Sequence, residues 1–104
     1  MISMNHSLQM YIQYEIKESS IEHYQQLMKN ILQSLESYDA IDIKWLPSPG
    51  SSTAFIEVIT LPTESHYHAL KKLRKSRQHL LFGMLDDCIS GGLNKMNCFG
   101  LKLF

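Results

Sequence analysis

Between Leu8 and Lys17 apolar and polar residues alternate without a break. Leu8, Met10, Ile12, Tyr14 and Ile16 take one parity, and Gln9, Tyr11, Gln13, Glu15 and Lys17 take the other. Alternation with a period of two over this length describes a strand with one face against a core and the other outside it. Something must cover the first face, and the next segment has the pattern to do so. Ser19-Ser20-Ile21-Glu22 reads as a capping box, with Ser19 as the cap and Glu22 three residues later. Ile21, Tyr24, Leu27, Met28, Ile31, Leu32 and Leu35 then recur at helical spacing among Glu22, Gln25, Gln26, Lys29, Asn30 and Gln33, so a helix is expected to about Ser37.

Ile41, Ile43 and Trp45 alternate with Asp42 and Lys44, which signals a second strand. The run Pro47-Ser48-Pro49-Gly50-Ser51-Ser52 ends it, and Thr53 to Leu61 resumes as a third strand, so these two form an antiparallel hairpin. Pro62-Thr63 closes the third strand. Thr63 is placed to cap a second helix carrying Tyr67, Leu70 and Leu73 on one stripe, with a break near Ser76. A further apolar segment, Leu80 to Ile89, ends at Gly91-Gly92, where a left-handed turn costs little, and Asn97 to Phe104 alternates as a last strand.

The order is β-α-β-β-α-β, an α+β arrangement with the ferredoxin-like split βαβ pattern. Right-handed crossovers put both helices on one face of a four-stranded antiparallel sheet in the order 4-1-3-2. A length of 104 residues makes residues 1–104 a single ferredoxin-like domain, with no room for a second core. Ten Lys and Arg balance ten Asp and Glu, so no net field recruits nucleic acid or an acidic membrane surface. No apolar run approaches the ~20 residues of a membrane span. The first ten residues, MISMNHSLQM, lack a secretory pattern. Cys88 and Cys98 have neither zinc spacing nor a nearby His at zinc-finger distances, and a cytoplasmic protein with reduced thiols is expected, with no metal and no cofactor.

The second face of the sheet is then left bare. On the third strand one parity shows Phe55, Glu57, Ile59 and Leu61, and the other Ala54, Ile56, Val58 and Thr60, so this strand is apolar on both faces except for Glu57. Assigning the first of these parities outward gives a homodimer interface of Tyr11, Phe55, Glu57 and Ile59, with Phe99 beside it. The competing readings are that Phe55 and Ile59 are covered by long side chains of the monomer, or that the parity shifts by one residue at the hairpin loop.

The element order, the size, the half-apolar outer face and the run Leu61-Pro62-Thr63-Glu64-Ser65-His66-Tyr67-His68-Ala69-Leu70 resemble the dimeric α/β-barrel superfamily. That group includes antibiotic-biosynthesis-monooxygenase-like and NIPSNAP-like proteins, and the resemblance covers nearly the whole chain as topology. It implies two sheets packed face to face and a small-ligand pocket between sheet and helices in each subunit. The pocket's lining is assigned to Tyr14, Trp45, His79 and Phe82, with a small apolar or aromatic molecule as ligand. The haem-degrading branch places an Asn on the first strand, a Trp near the end of the third and a His on the second helix. Here Asn5 precedes the strand and Trp45 lies on the second, leaving only a helical His such as His79, so haem degradation is poorly supported.

The candidates for chemistry are few. His66 and His68 fall on different sides of a helix and read as surface residues. His79 precedes Leu80-Leu81-Phe82, where an imidazole at a pocket edge suits acid, base or haem-ligand roles. A carboxylate such as Glu57 in an apolar strand must be paired or have a raised pKa, as a general base or as one half of an ion pair across a dimer. Lys71, Lys72, Arg74, Lys75 and Arg77 gather half the basic residues into seven positions and read as a solvated helix face, because the sheet lacks the aromatic motifs of an RNA-binding strand. Pro47 to Ser52 lacks a phosphate-loop spacing, and no Ser/His/Asp arrangement is visible. Two functions follow: a small-ligand-binding, oxygenase-like protein with His79 and Glu57 as the catalytic candidates, or a non-catalytic dimeric module for a metabolite or a protein partner.

Overall fold

A computed structural model of the chain describes residues 7–103. Asn5 and Phe104 therefore lie outside the described residues. Four strands, β1 (Leu8–Glu15), β2 (Asp42–Pro47), β3 (Ala54–Leu61) and β4 (Asn97–Lys102), form one antiparallel sheet in the order β2-β3-β1-β4. Read from the other edge this is the expected 4-1-3-2. Two helices, α1 (Ile21–Ser34) and α2 (Glu64–Arg74), pack on one face, joined there by a 3-10 turn at Phe82–Asp87.

Local chemistry explains where the elements start and stop. The expected capping box at Ser19 does not form. A 3-10 turn at Glu18–Ser20 enters α1 instead, and the Ser20 amide donates to the Lys17 carbonyl at 2.8 Å. The helix tightens into a second 3-10 turn at Leu35–Tyr38 and ends on Asp39, held at φ 66°. At α2 the expected cap is present, with Thr63 Oγ1 accepting from the His66 amide at 3.2 Å. The break after Arg74 is also as expected, and within the apolar segment Leu80 to Ile89 the residues Phe82–Asp87 form a 3-10 helix. Gly91 and Gly92, at φ 81° and 79°, make the left-handed turn that brings the chain back to β4.

The alternation of β1 places Leu8, Met10, Ile12 and Tyr14 in the core, against Tyr24, Leu27, Met28 and Ile31 of α1. On β3 the outward assignment of Phe55, Glu57 and Ile59 is corrected. These residues lie opposite Tyr14, Ile12 and Met10 across the β1–β3 ladder, and directly paired residues share a face. All three are buried under the helices. The ambiguity arose because both parities of β3 are apolar, and a carboxylate favours solvent until a partner for it is known. The outer face instead carries Ala54, Ile56, Val58 and Thr60, alongside Tyr11, Leu46, Phe99 and Leu101. Tyr11 and Phe99 stack at 5.2 Å between centroids. Of the expected interface set, only Tyr11 is on this face.

The corrected register has a direct thermodynamic consequence. Truncation of the fully buried Ile59 to Ala is expected to cost about 2 to 5 kcal/mol, whereas Thr60→Ala, one residue on, should stay within about 0.5 kcal/mol. Urea denaturation of the two variants measures this, and the opposite order would restore the outward parity.

Candidate functional site

The only charged groups buried among the described residues meet beneath the centre of the sheet. Glu57 projects from β3 toward the last turn of α2, where Arg74 turns inward from a helix face that is otherwise basic and solvated. Nη1 and Nη2 of Arg74 donate to Oε1 and Oε2 of Glu57 at 2.6 and 2.7 Å, and both side chains are fully buried. Glu57 thus pairs within its own chain and not across an interface. The Arg74 guanidinium also lies over the Phe82 ring, 5.2 Å from its centroid. Burial alone would lower the pKa of the guanidinium, but the neighbouring carboxylate raises it above the usual value.

A row of aromatic donors extends from this pair. Tyr14 Oη donates to Glu57 Oε2 at 2.6 Å and lies 2.7 Å from Tyr24 Oη, and Trp45 Nε1 donates to Tyr24 Oη at 2.8 Å. The ionised carboxylate and the indole fix the direction. The Tyr14 hydrogen is spent on Glu57, so Tyr24 donates to Tyr14 and accepts from Trp45. Register builds the row, since Trp45 and Ile12 are the cross-strand neighbours of Glu57, and Tyr14 lies one pleat further along β1. Burial, and then the negative charge of Glu57, raise the pKa of the Tyr14 phenol; burial does the same to Tyr24. Trp45, on the edge strand, is the half-exposed end of the row.

Tyr14 and Trp45, two of the four expected ligand residues, are therefore joined, through a residue read from the sequence as core, Tyr24. The other two form a neighbouring cluster, with His79 stacked on Phe82 at 4.2 Å. His79 is not on α2 but in the turn after it. Its Nδ1 accepts from the amides of Leu81 and Phe82 at 3.2 and 3.0 Å, and Nε2 lies 3.1 Å from Tyr38 Oη. Both ring nitrogens are thus engaged. Arg74 was missed because it sits among four other basic residues. Its position on the stripe of Tyr67, Leu70 and Leu73 is the signal that marks it as inward.

Two open clefts add to this picture. One, of about 260 Å³, touches Tyr14 and Phe55 and is otherwise lined by Gln13, Ser48, Ala54, Ile56, Lys95 and Asn97; the other, of about 230 Å³, lies between α2 and β4. Neither is lined by Trp45, His79 or Phe82. Among the described residues there is no group of three or more potential metal-ligating side chains, and no helix long and apolar enough to cross a membrane. Cys88 and Cys98 are free, and burial raises both thiol pKa values.

No protein-family model matches the sequence, nor does any curated protein. Solved structures do match. A candidate antibiotic biosynthesis monooxygenase from Nitrosomonas europaea superposes with a TM-score of 0.74 at 14% identity, over 100% of this chain and 96% of that one. The fold shared with these structures is ferredoxin-like. A dimeric ferredoxin-like protein of unknown function from Jannaschia gives 0.69 at 12% identity, over 93% of this chain and 99% of the other. A NIPSNAP family protein of unknown function from Agrobacterium tumefaciens gives 0.64 at 13%, over 97% and 91%.

The buried pair leads to two expectations. Arg74→Met leaves an unpaired carboxylate and should cost about 3 to 5 kcal/mol, while Glu57→Leu combined with Arg74→Met should recover most of that loss, as read by a double-mutant cycle in urea. At high pH the unfolded chain loses phenolic protons that folded Tyr14 and Tyr24 retain, so stability should fall once the pH exceeds the ordinary tyrosine value of about 10. Absorbance at the tyrosinate band should therefore show two phenols that ionise only with unfolding; full ionisation in the folded protein would contradict the donor row.

Proposed function

We propose that this chain is a homodimeric small-ligand-binding protein of the dimeric α/β-barrel type, taking an apolar or aromatic ligand between the sheet and the helices beside Trp45. The row of donors from half-exposed Trp45 to the buried Glu57–Arg74 pair carries this reading, because it supplies an aromatic surface with polar groups of fixed direction behind it. The ferredoxin-like fold shared with a candidate monooxygenase makes oxygenase-like chemistry the first class to assay. The second reading, a non-catalytic dimeric module for a metabolite or a protein partner, is favoured by the engagement of both His79 nitrogens and by the neutralisation of Glu57.

Dimerisation through the outer sheet face rests on Leu46, Phe99 and Leu101, which are 51, 43 and 52% exposed and continuous with Tyr11, Ile56 and Val58. A two-fold axis would make the contact isologous. Light scattering at micromolar concentration should give twice the 12.0 kDa chain mass. Val58→Lys should give monomer or aggregate, and native mass spectrometry of the purified protein should detect a bound small molecule whose retention falls in Trp45→Ala. A wild-type mass near 12.0 kDa would defeat the dimer, and an unliganded spectrum indifferent to Trp45 would favour the non-catalytic module.

A further inference from the structure

Trp45 is the chain's single tryptophan and the half-exposed end of the donor row, whereas Tyr24, which accepts its indole hydrogen, is fully buried. An oxidisable ring that solvent reaches is thus joined by a hydrogen bond to a phenol that solvent does not reach. We propose that the row is a proton-coupled electron relay: an organic peroxyl radical at the edge of the sheet takes one electron through Trp45, and the oxidising equivalent comes to rest on Tyr24 as a phenoxyl radical. The relay needs no bound ligand, so it does not rest on the ligand-binding reading.

Exposure sets where the electron leaves. Trp45 stands on β2, the edge strand, and is the member of the row that a solute can touch. Its ring centroid is 5.8 Å from that of Tyr24, and its Nε1 is 2.8 Å from Tyr24 Oη, so the electron crosses a direct contact. Phe55 and Tyr14 also pack against the Tyr24 ring, with centroids 4.8 and 5.7 Å away. A radical enclosed there is kept from coupling with a second one, which is the usual fate of an exposed phenoxyl.

The direction of the hydrogen bonds sets where the proton goes. Burial raises the pKa of the Tyr24 phenol, so the group holds its proton until it is oxidised. An oxidised phenol is a far stronger acid than a carboxylic acid, and the row ends in a carboxylate. Tyr24 donates to Tyr14 at 2.7 Å and Tyr14 to Glu57 Oε2 at 2.6 Å, so two protons each move one place inward along bonds already formed. Glu57 becomes a neutral acid that donates to Tyr14, and Tyr14 turns from acceptor to donor toward Tyr24. The phenoxyl oxygen then accepts from both Tyr14 and Trp45, and Arg74 keeps its two contacts with Glu57. Only hydrogens have to move.

The peroxyl radical gains an electron from Trp45 and a proton from water, and leaves as a hydroperoxide with hydroxide released to solvent. Trp45 recovers its electron from Tyr24. The sum is one peroxyl radical reduced, one phenol oxidised and one proton delivered to Glu57.

Pulse radiolysis with azidyl radicals, which take an electron from indole rings, tests this on the full chain. The Trp45 radical absorbance should give way to phenoxyl absorbance at a rate that is independent of protein concentration and slower in heavy water. These two observations need no variant. Tyr24→Phe should prolong the Trp45 radical by about tenfold or more, and Tyr14→Phe, which leaves Tyr24 against Trp45 but cuts the proton path, should slow the phenoxyl's appearance by about tenfold. Circular dichroism checks that each variant is folded. A wild-type Trp45 radical that lives as long as in folded Tyr24→Phe, a rate that scales with protein concentration, or equal rates in heavy and ordinary water overturns the relay.

Discussion

The bidentate contact between Glu57 and Arg74 is the constraint around which the rest of the core is arranged. Two charges taken wholly out of water carry a desolvation cost that their attraction offsets only when geometry is good and remaining lone pairs are satisfied. Both carboxylate oxygens accept from Arg74, and one also accepts from Tyr14. These contacts tie three elements together: β3 through Glu57, β1 through Tyr14 and the end of α2 through Arg74. A slip of β3 by one residue would turn Glu57 to the outer face and leave Arg74 buried and unpaired. The pair therefore fixes register at the one strand whose hydrophobic pattern does not.

That division accounts for what was legible in the sequence. The faces of β1 could be read because Gln9, Gln13 and Glu15 mark its outer side. The hairpin of β2 and β3 could be read from its Pro- and Ser-rich loop, and the element order then gave the sheet order. For β3 both parities are apolar, and the one residue that breaks the symmetry points the other way from a charged residue's usual preference. Only the partner resolves it, and Arg74 is 17 residues away in a run of basic residues that describes a wetted surface. Burial of that side chain is a tertiary event that periodicity records only weakly.

The candidate site was legible by residue type and not by connection. Tyr14 and Trp45 could be chosen as aromatic residues near a sheet–helix gap, but their link is the hydroxyl of Tyr24, which the helical pattern explains fully as a core position. His79 was chosen for its neighbours Leu80 to Phe82. The structure gives those same neighbours another meaning, since the amides of Leu81 and Phe82 are what its Nδ1 satisfies. A histidine that caps a turn and a histidine at a pocket edge have the same sequence signature.

The two faces of β3 also reverse the ordinary division of labour in a half-buried strand. The strand's only charge points into the core, where Arg74 neutralises it, and the aliphatic row of Ile56 and Val58 points out, next to Tyr11 and Phe99. Every oxygen of that inward carboxylate has a donor, and only Arg74 Nε is left without a partner among the described residues. The outward row has no such compensation among the described residues. A soluble monomer would ordinarily place its polar residues on that side. Both choices become consistent if the interior of the subunit is held by directional bonds and the outer face by burial against a second apolar sheet, which needs area and shape but no charge.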